Sequence, residues 1–143
     1  MGLNDAMAIS VSGINAERSH MELISSNIAN INTTRSLTGG SYRRKVAVFS
    51  ETPLSFDEEL SSASKKISGG GVEVSDISED KAPFNRVYNP SHPDADAQGF
   101  VNMPNVDLSK EMVDMVASSK LYEANITAYN ATKKMMTDTL SIQ

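Results

Sequence analysis

Three groups of residues have types and spacings that chemistry could use. The run Asp94-Ala95-Asp96-Ala97-Gln98-Gly99 puts oxygen-bearing side chains at the first, third and fifth loop positions and glycine at the sixth, as in the opening of a calcium-binding EF-hand. That loop also needs a bidentate glutamate at its twelfth position and a helix in front of it. The twelfth residue is Asn105, and Pro90 and Pro93 oppose the helix, so the run reads as a turn held by aspartate side chains. His92, Asp94 and Asp96 would make an open, poorly shaped metal site, and a solvated loop histidine is the simpler reading. Serine is plentiful, but there is no Gly-x-Ser-x-Gly turn, and His20 and His92 lie far apart in sequence, leaving a nucleophile without an evident base. The triple glycine at 69–71 lacks the Lys-Ser or Lys-Thr of a phosphate-binding loop. No catalytic residue, cofactor or metal ligand is expected.

Composition points the same way. The chain has 143 residues, a formal net charge of −5 and no cysteine. Binding to nucleic acid would call for a basic face, so a nucleic-acid partner is not expected. Without cysteine there is neither a disulfide nor a thiolate metal site, and oxidising and reducing compartments are equally tolerable. No run approaches the roughly 18 apolar residues of a membrane span, and the start lacks a basic segment followed by an apolar one. Any route out of the cytoplasm is therefore expected not to use a cleaved signal peptide.

The informative spacing lies in the elements at the two ends. Leu108, Met112, Met115, Ser119, Tyr122, Ile126, Tyr129, Lys133, Met136 and Leu140 alternate by four and three. Met7, Ile14, Met21 and Ile28 recur every seven residues, and Leu3, Val11, Ile24 and Ile31 widen that face. A stripe of period 3.5 is buried best when the helix wraps around a partner, so both ends are expected to need something to pack against. The first helix should start near Asn4 or Asp5 and end between Asn30 and Thr33, with asparagine at a left-handed C-cap. Asn105 or Asp107 should cap the second helix, with Asp107, Glu111 and Asp114 near its positive end. Over 108–140 that helix would be about 50 Å long. Gly13 reads equally as a point of close helix approach or a tolerated surface glycine.

Between the helices the pattern becomes extended. Lys45-Val46-Ala47-Val48-Phe49 and Val72-Glu73-Val74-Ser75-Asp76-Ile77 read as strands, with Phe84-Asn85-Arg86-Val87-Tyr88 as a third. The 57–64 stretch between the first two is acidic and serine-rich. Arg43, Arg44 and Lys45 form the compact basic cluster, readable as a solvated strand edge or as charge contacts to an adjacent subunit, for instance to its Asp57-Glu58-Glu59. Asn27, Asn30, Asn125 and Asn130 could fix register by hydrogen bonds across helix seams, or could cap and face water. The methionines read as adaptable fillers of the seams.

These residues resemble a known family. Ser26-Asn27-Ile28-Ala29-Asn30-Ile31-Asn32-Thr33 is similar to the N-terminal signature of the axial proteins of the bacterial flagellum. The common form runs directly from the asparagine pair into Thr-x-Gly-Tyr, whereas here residues 34–41 intervene before Tyr42-Arg43-Arg44. That insertion resembles the proximal rod protein C subfamily, as do Tyr88-Asn89-Pro90-Ser91-His92-Pro93-Asp94-Ala95-Asp96, Gly99-Phe100-Val101, Pro104-Asn105-Val106, Glu111-Met112-Val113-Asp114-Met115 and Tyr122-Glu123-Ala124-Asn125. The resemblance marks Asn27, Ala29, Asn30, Thr33 and Tyr42 as signature residues. It implies a mainly α fold in which the N- and C-terminal helices pair as an antiparallel coiled coil, with a small β-containing or extended middle. The segments would be 1–34, 35–105 and 106–143. It further implies a structural subunit of the flagellar rod that assembles into a helical tube, transmits torque and encloses the export channel. Implied partners are copies of itself, the proximal rod B and F types, the basal-body E type and the type III export apparatus; the implied place is the periplasmic rod of the basal body. The alternatives are a monomeric helical-hairpin adaptor and a small metal-dependent enzyme around His92.

Overall fold

A computed structural model describes residues 2–36, 39–52 and 70–141. Helix α1 spans Leu3–Ala29. Its start is fixed by the Asp5 carboxylate, which accepts the Gly2 amide at 2.7 Å and places negative charge in the first turn. Its end is fixed by Asn30, whose side-chain amide donates to the Ser26 carbonyl at 2.9 Å. Asn30 has φ −100°, so the expected left-handed cap is replaced by a side chain that satisfies one of the helix's last carbonyls. Helix α2 spans Leu108–Ser141. Asp107 begins it by accepting the Ser109 amide at 2.9 Å.

The two helices are antiparallel. Gly13 meets Asn125, Glu17 meets Ser118 and Asn27 meets Glu111, so numbering rises along one helix as it falls along the other. A Cβ on Gly13 would lie 2.8 Å from the Asn125 amide nitrogen, which makes this glycine a point of close approach.

Strands β1 (Lys45–Glu51) and β2 (Val72–Glu79) pair antiparallel, from Lys45 opposite Glu79 to Glu51 opposite Val72, with an irregularity between Val48 and Phe49. This hairpin lies along α1. The Ser12 hydroxyl accepts the Val72 amide at 3.0 Å, the His20 ring meets Phe49 edge-on at 5.5 Å, and Asn27 bonds the backbone of Lys45. Gly71 is required beside Ser12, whose Oγ would sit 2.2 Å from an added Cβ. Strands β3 (Asn85–Tyr88) and β4 (Phe100–Met103) form a second antiparallel pair. Its turn ends at Gly99, where φ is +82° and an added Cβ would lie 2.9 Å from the Tyr88 ring.

The expected mainly α coiled-coil fold is therefore corrected. About 50% of the described residues are helical and 19% lie in strands, in two small sheets, which makes the architecture α+β. Two features account for the difference. Strand β4 pairs with β3 in a stretch for which the sequence predicts no strand, between Gly99 and Pro104. The helix-helix contacts also use glycine, serine, asparagine and glutamate where an apolar heptad seam would use Leu and Ile. Buried apolar side chains among the described residues are Ala16, Ile24, Tyr42, Val101 and Pro104, a thin core.

Candidate functional site

The densest buried group of polar side chains lies where the end of α1, the start of β1 and the start of α2 converge. Asn27 is 1% exposed, and its side-chain amide is fully used. The nitrogen donates to the Lys45 carbonyl at 2.9 Å and to Glu111 Oε2 at 3.0 Å, while the oxygen accepts the Tyr42 hydroxyl at 2.9 Å and the Lys45 amide at 2.9 Å. An amide has two donors and about two acceptor sites, so none is left over. Glu111, 0% exposed, receives Asn27 on one oxygen and Arg44 Nε at 2.5 Å on the other. Arg44 extends the network to Asp114 at 3.2 Å, and its own amide donates to Asn105 Oδ1 at 2.8 Å. Asn105 in turn donates to the carbonyls of Asp80 and Ala82.

Local sequence explains the convergence. In extended chain, residues two apart face the same side, so Tyr42 and Arg44 both turn toward α1 and α2 while Arg43 turns away. Arg43 lies over the Phe84 ring at 4.3 Å and also bonds the Asp80 and Ala82 carbonyls. The Lys45 ammonium is 5.9 Å from the centre of the Tyr42 ring. Of the basic cluster, Arg44 thus spends its charge within the chain; the acidic residues 57–59 and the first glycine of 69–71 lie outside the described residues.

Among the signature residues, Asn27 and Tyr42 meet directly. Asn30 and Thr33 close the turn after α1, Thr33 Oγ1 donating to Asn30 Oδ1 at 3.1 Å, and the Thr33 carbonyl accepts the Tyr42 amide at 3.0 Å. Ala29 is exposed. The striped residues are distributed differently. Met7, Ile14, Met21 and Ile28 are half-buried on α1, as are Met115, Tyr122, Ile126 and Tyr129 on α2. Leu108, Met112, Met136 and Leu140 are exposed, and Val113 and Val116 beside them are 67% and 61% exposed. Glu111 was legible only as a favourable charge in the first turn of α2; its buried pairing with Arg44 had no signal in the spacing.

The aspartates after β3 are used as turn and ion-pair groups. Asp94 accepts the Thr34 hydroxyl at 2.8 Å and pairs with Arg35 at 2.9 Å. Asp96 accepts the amides of Gln98 and Phe100 and pairs with Arg86 at 3.0 Å. The Phe100 amide, above all, holds the Asp96 carboxyl below the usual carboxylate range, with partial desolvation opposing and the Gln98 amide and Arg86 adding to the effect. His92 Nδ1 accepts the Asp94 amide at 3.1 Å.

Comparison with known proteins adds independent information. A family model described as flagella basal body rod protein matches residues 7–35, and one described as flagellar basal body rod FlgEFG protein C-terminal matches residues 97–142. The flagellar basal-body rod protein FlgC of Bacillus subtilis is 45% identical over 143 residues, covering 96% of this chain and 95% of the relative. The proteins of the same name from Borreliella burgdorferi and Escherichia coli O6:H1 are 38% and 36% identical, each alignment covering 99% of this chain and 98% of the relative.

Proposed function

Since this chain belongs to the flagellar basal-body rod protein FlgC family and is a structural subunit of the proximal rod, we propose that the exposed apolar stripe of α2 is the surface through which it joins its neighbours in the rod. The observation that carries this reading is that Leu108, Met112, Val113, Val116, Met136 and Leu140 of α2 are all exposed, over more than one face of the helix. Apolar surface on this scale in a chain with so thin a core is stabilised by removal from water, at roughly 25 cal/mol per Å². Contacts that repeat from subunit to subunit without closing on themselves generate a helical tube. Such a tube would transmit torque through many contacts loaded in parallel and would enclose the export channel. Its partners are then copies of this chain and rod proteins of the B, F and E types. In this reading the subunit is delivered by the type III export apparatus to the periplasmic part of the basal body. The segments 1–34 and 106–143 supply the contacts along the tube, and 35–105 reaches outward, with Lys45 available for charge contact.

Replacing Val113 and Val116 by Asp tests the reading. Both side chains are more than half exposed, so the purified chain should keep its helicity, while cells carrying only this variant should lose rod incorporation and motility. Normal incorporation would overturn it.

A further inference from the structure

Each helix carries two overlapping stripes, and the chain buries the less apolar one. On α2, Glu111, Ser118 and Asn125 face α1, and with Met115, Tyr122 and Tyr129 they alternate by four and three. The apolar stripe shares Met115, Tyr122 and Tyr129 but runs through Met112, Ser119 and Ile126. The two differ by half a residue step, about 50° around the axis at 3.6 residues per turn. On α1 the inward line through Gly13, Glu17, Ile24 and Asn27 is offset in the same sense from Ile14, Met21 and Ile28. Hydrophobic burial alone would rotate both helices to join the apolar stripes.

We propose that the Asn27, Glu111 and Arg44 network is a rotational latch that fixes α2 about its own axis, polar stripe inward, so that the apolar stripe is left only partly covered, with Met112 exposed and Ser119 and Ile126 half-buried, and its uncovered side is available to neighbouring subunits. Rotating α2 would withdraw the Glu111 carboxylate from both Arg44 and Asn27. That would leave a buried charge and a buried amide donor unpaired, a heavily disfavoured outcome. Arg44 cannot follow, because its amide is held by Asn105 and its carbonyl accepts the Asp80 amide at 2.8 Å. A polar group inside a helix seam is a known way to specify register at the expense of stability. Here the stability forgone within the chain is the apolar contact left for assembly. The role of the free stripe rests on the rod reading above; the rotational setting does not.

The chain has no cysteine, so introduced pairs report the setting cleanly. Gly13→Cys with Asn125→Cys reads the observed setting, and Gly13→Cys with Ile126→Cys reads the one reached by rotating α2. In the purified chain the first pair should close a disulfide in preference to the second. In a Glu111→Leu background the preference should reverse with helicity retained, and rod incorporation should fall. Glu111→Gln keeps an acceptor for Asn27 but loses the charge on Arg44, and it should give an intermediate partition even if the leucine variant does not fold. A partition unchanged in both backgrounds would overturn the latch, as would a purified chain in which neither pair closes. Because the disulfides form in the isolated chain, a failed latch is distinguishable from a failed rod interface, which the Val113 and Val116 variant reports.

Discussion

The two ends of α2 live under opposite rules. At its start, Glu111 is wholly buried and every polar group around Asn27 has a partner inside the chain. At its far end, residues 133–141 are all exposed, including Met135, Met136 and Leu140. Extended at the observed spacing, the helix pairing brings Leu3 opposite about residue 135, so the last turns of α2 run past the start of α1. At the start of α2 one face is packed within the chain while Leu108, Met112, Val113 and Val116 stay exposed, and at the far end every face is exposed. Side-chain polarity is thus a guide to what the chain finishes alone, and exposed apolar surface to what the assembly finishes.

The largest contrast should come from truncating each end. Glu111→Ala leaves Arg44 and Asn27 without their shared partner and should destabilise the purified chain by about 3–5 kcal/mol. The joint change Met136→Ala and Leu140→Ala should shift it by less than about 0.5 kcal/mol and act instead on rod incorporation. Chemical denaturation beside an incorporation assay measures both, and equal losses of stability would break the comparison. A smaller effect at the finished end is expected from Tyr42→Phe. It removes one hydrogen bond to Asn27 Oδ1 and should cost about 1–2 kcal/mol; an unchanged denaturation midpoint would show that the Tyr42 hydroxyl is dispensable to the junction.

The junction and far end were unequally legible in the sequence. The helices announced themselves through a period of 3.5 and through Asp5 and Asp107 as start signals. Strands β1 and β2 showed valines and isoleucine between turn residues, whereas β4 is not among the predicted strands, and the mainly α class implied by the resemblance gives too little weight to the two sheets. The junction was half legible. Asn27 could be read as a seam residue or as a solvated one, and only the packing decides, because Tyr42, Arg44 and Glu111 reach it from distant parts of the chain. An apolar stripe tells which residues need covering but not whether the cover comes from the same chain.

The smallest expected effect concerns a region outside the comparison, the turn before β4, and sharpens it by isolating acid sensitivity there. Because the Phe100 amide chiefly lowers the folded-state pKa of Asp96, its contribution is complete above the unfolded value. It is lost only as pH falls through the lower folded value. The protection factor of the Phe100 amide, the unfolded chain's exchange rate divided by its own at the same pH, should therefore be steady from neutral pH down through mild acid and fall only below the usual aspartate range, and Asp96→Asn should remove that acid step. A protection factor already falling near neutral pH would contradict the assignment.

The buried junction around Asn27 should hold in the isolated chain, whereas the far end of α2 should be covered only in the rod. Residue-resolved hydrogen exchange on the purified chain and on isolated basal bodies tests this contrast most directly. Protected amides are expected at 24–30, 43–46 and 111–118 in the chain alone, with fast exchange at 133–141 that becomes slow in the basal body. Uniform protection along α2 in the isolated chain, or fast exchange at 133–141 in both states, would contradict it.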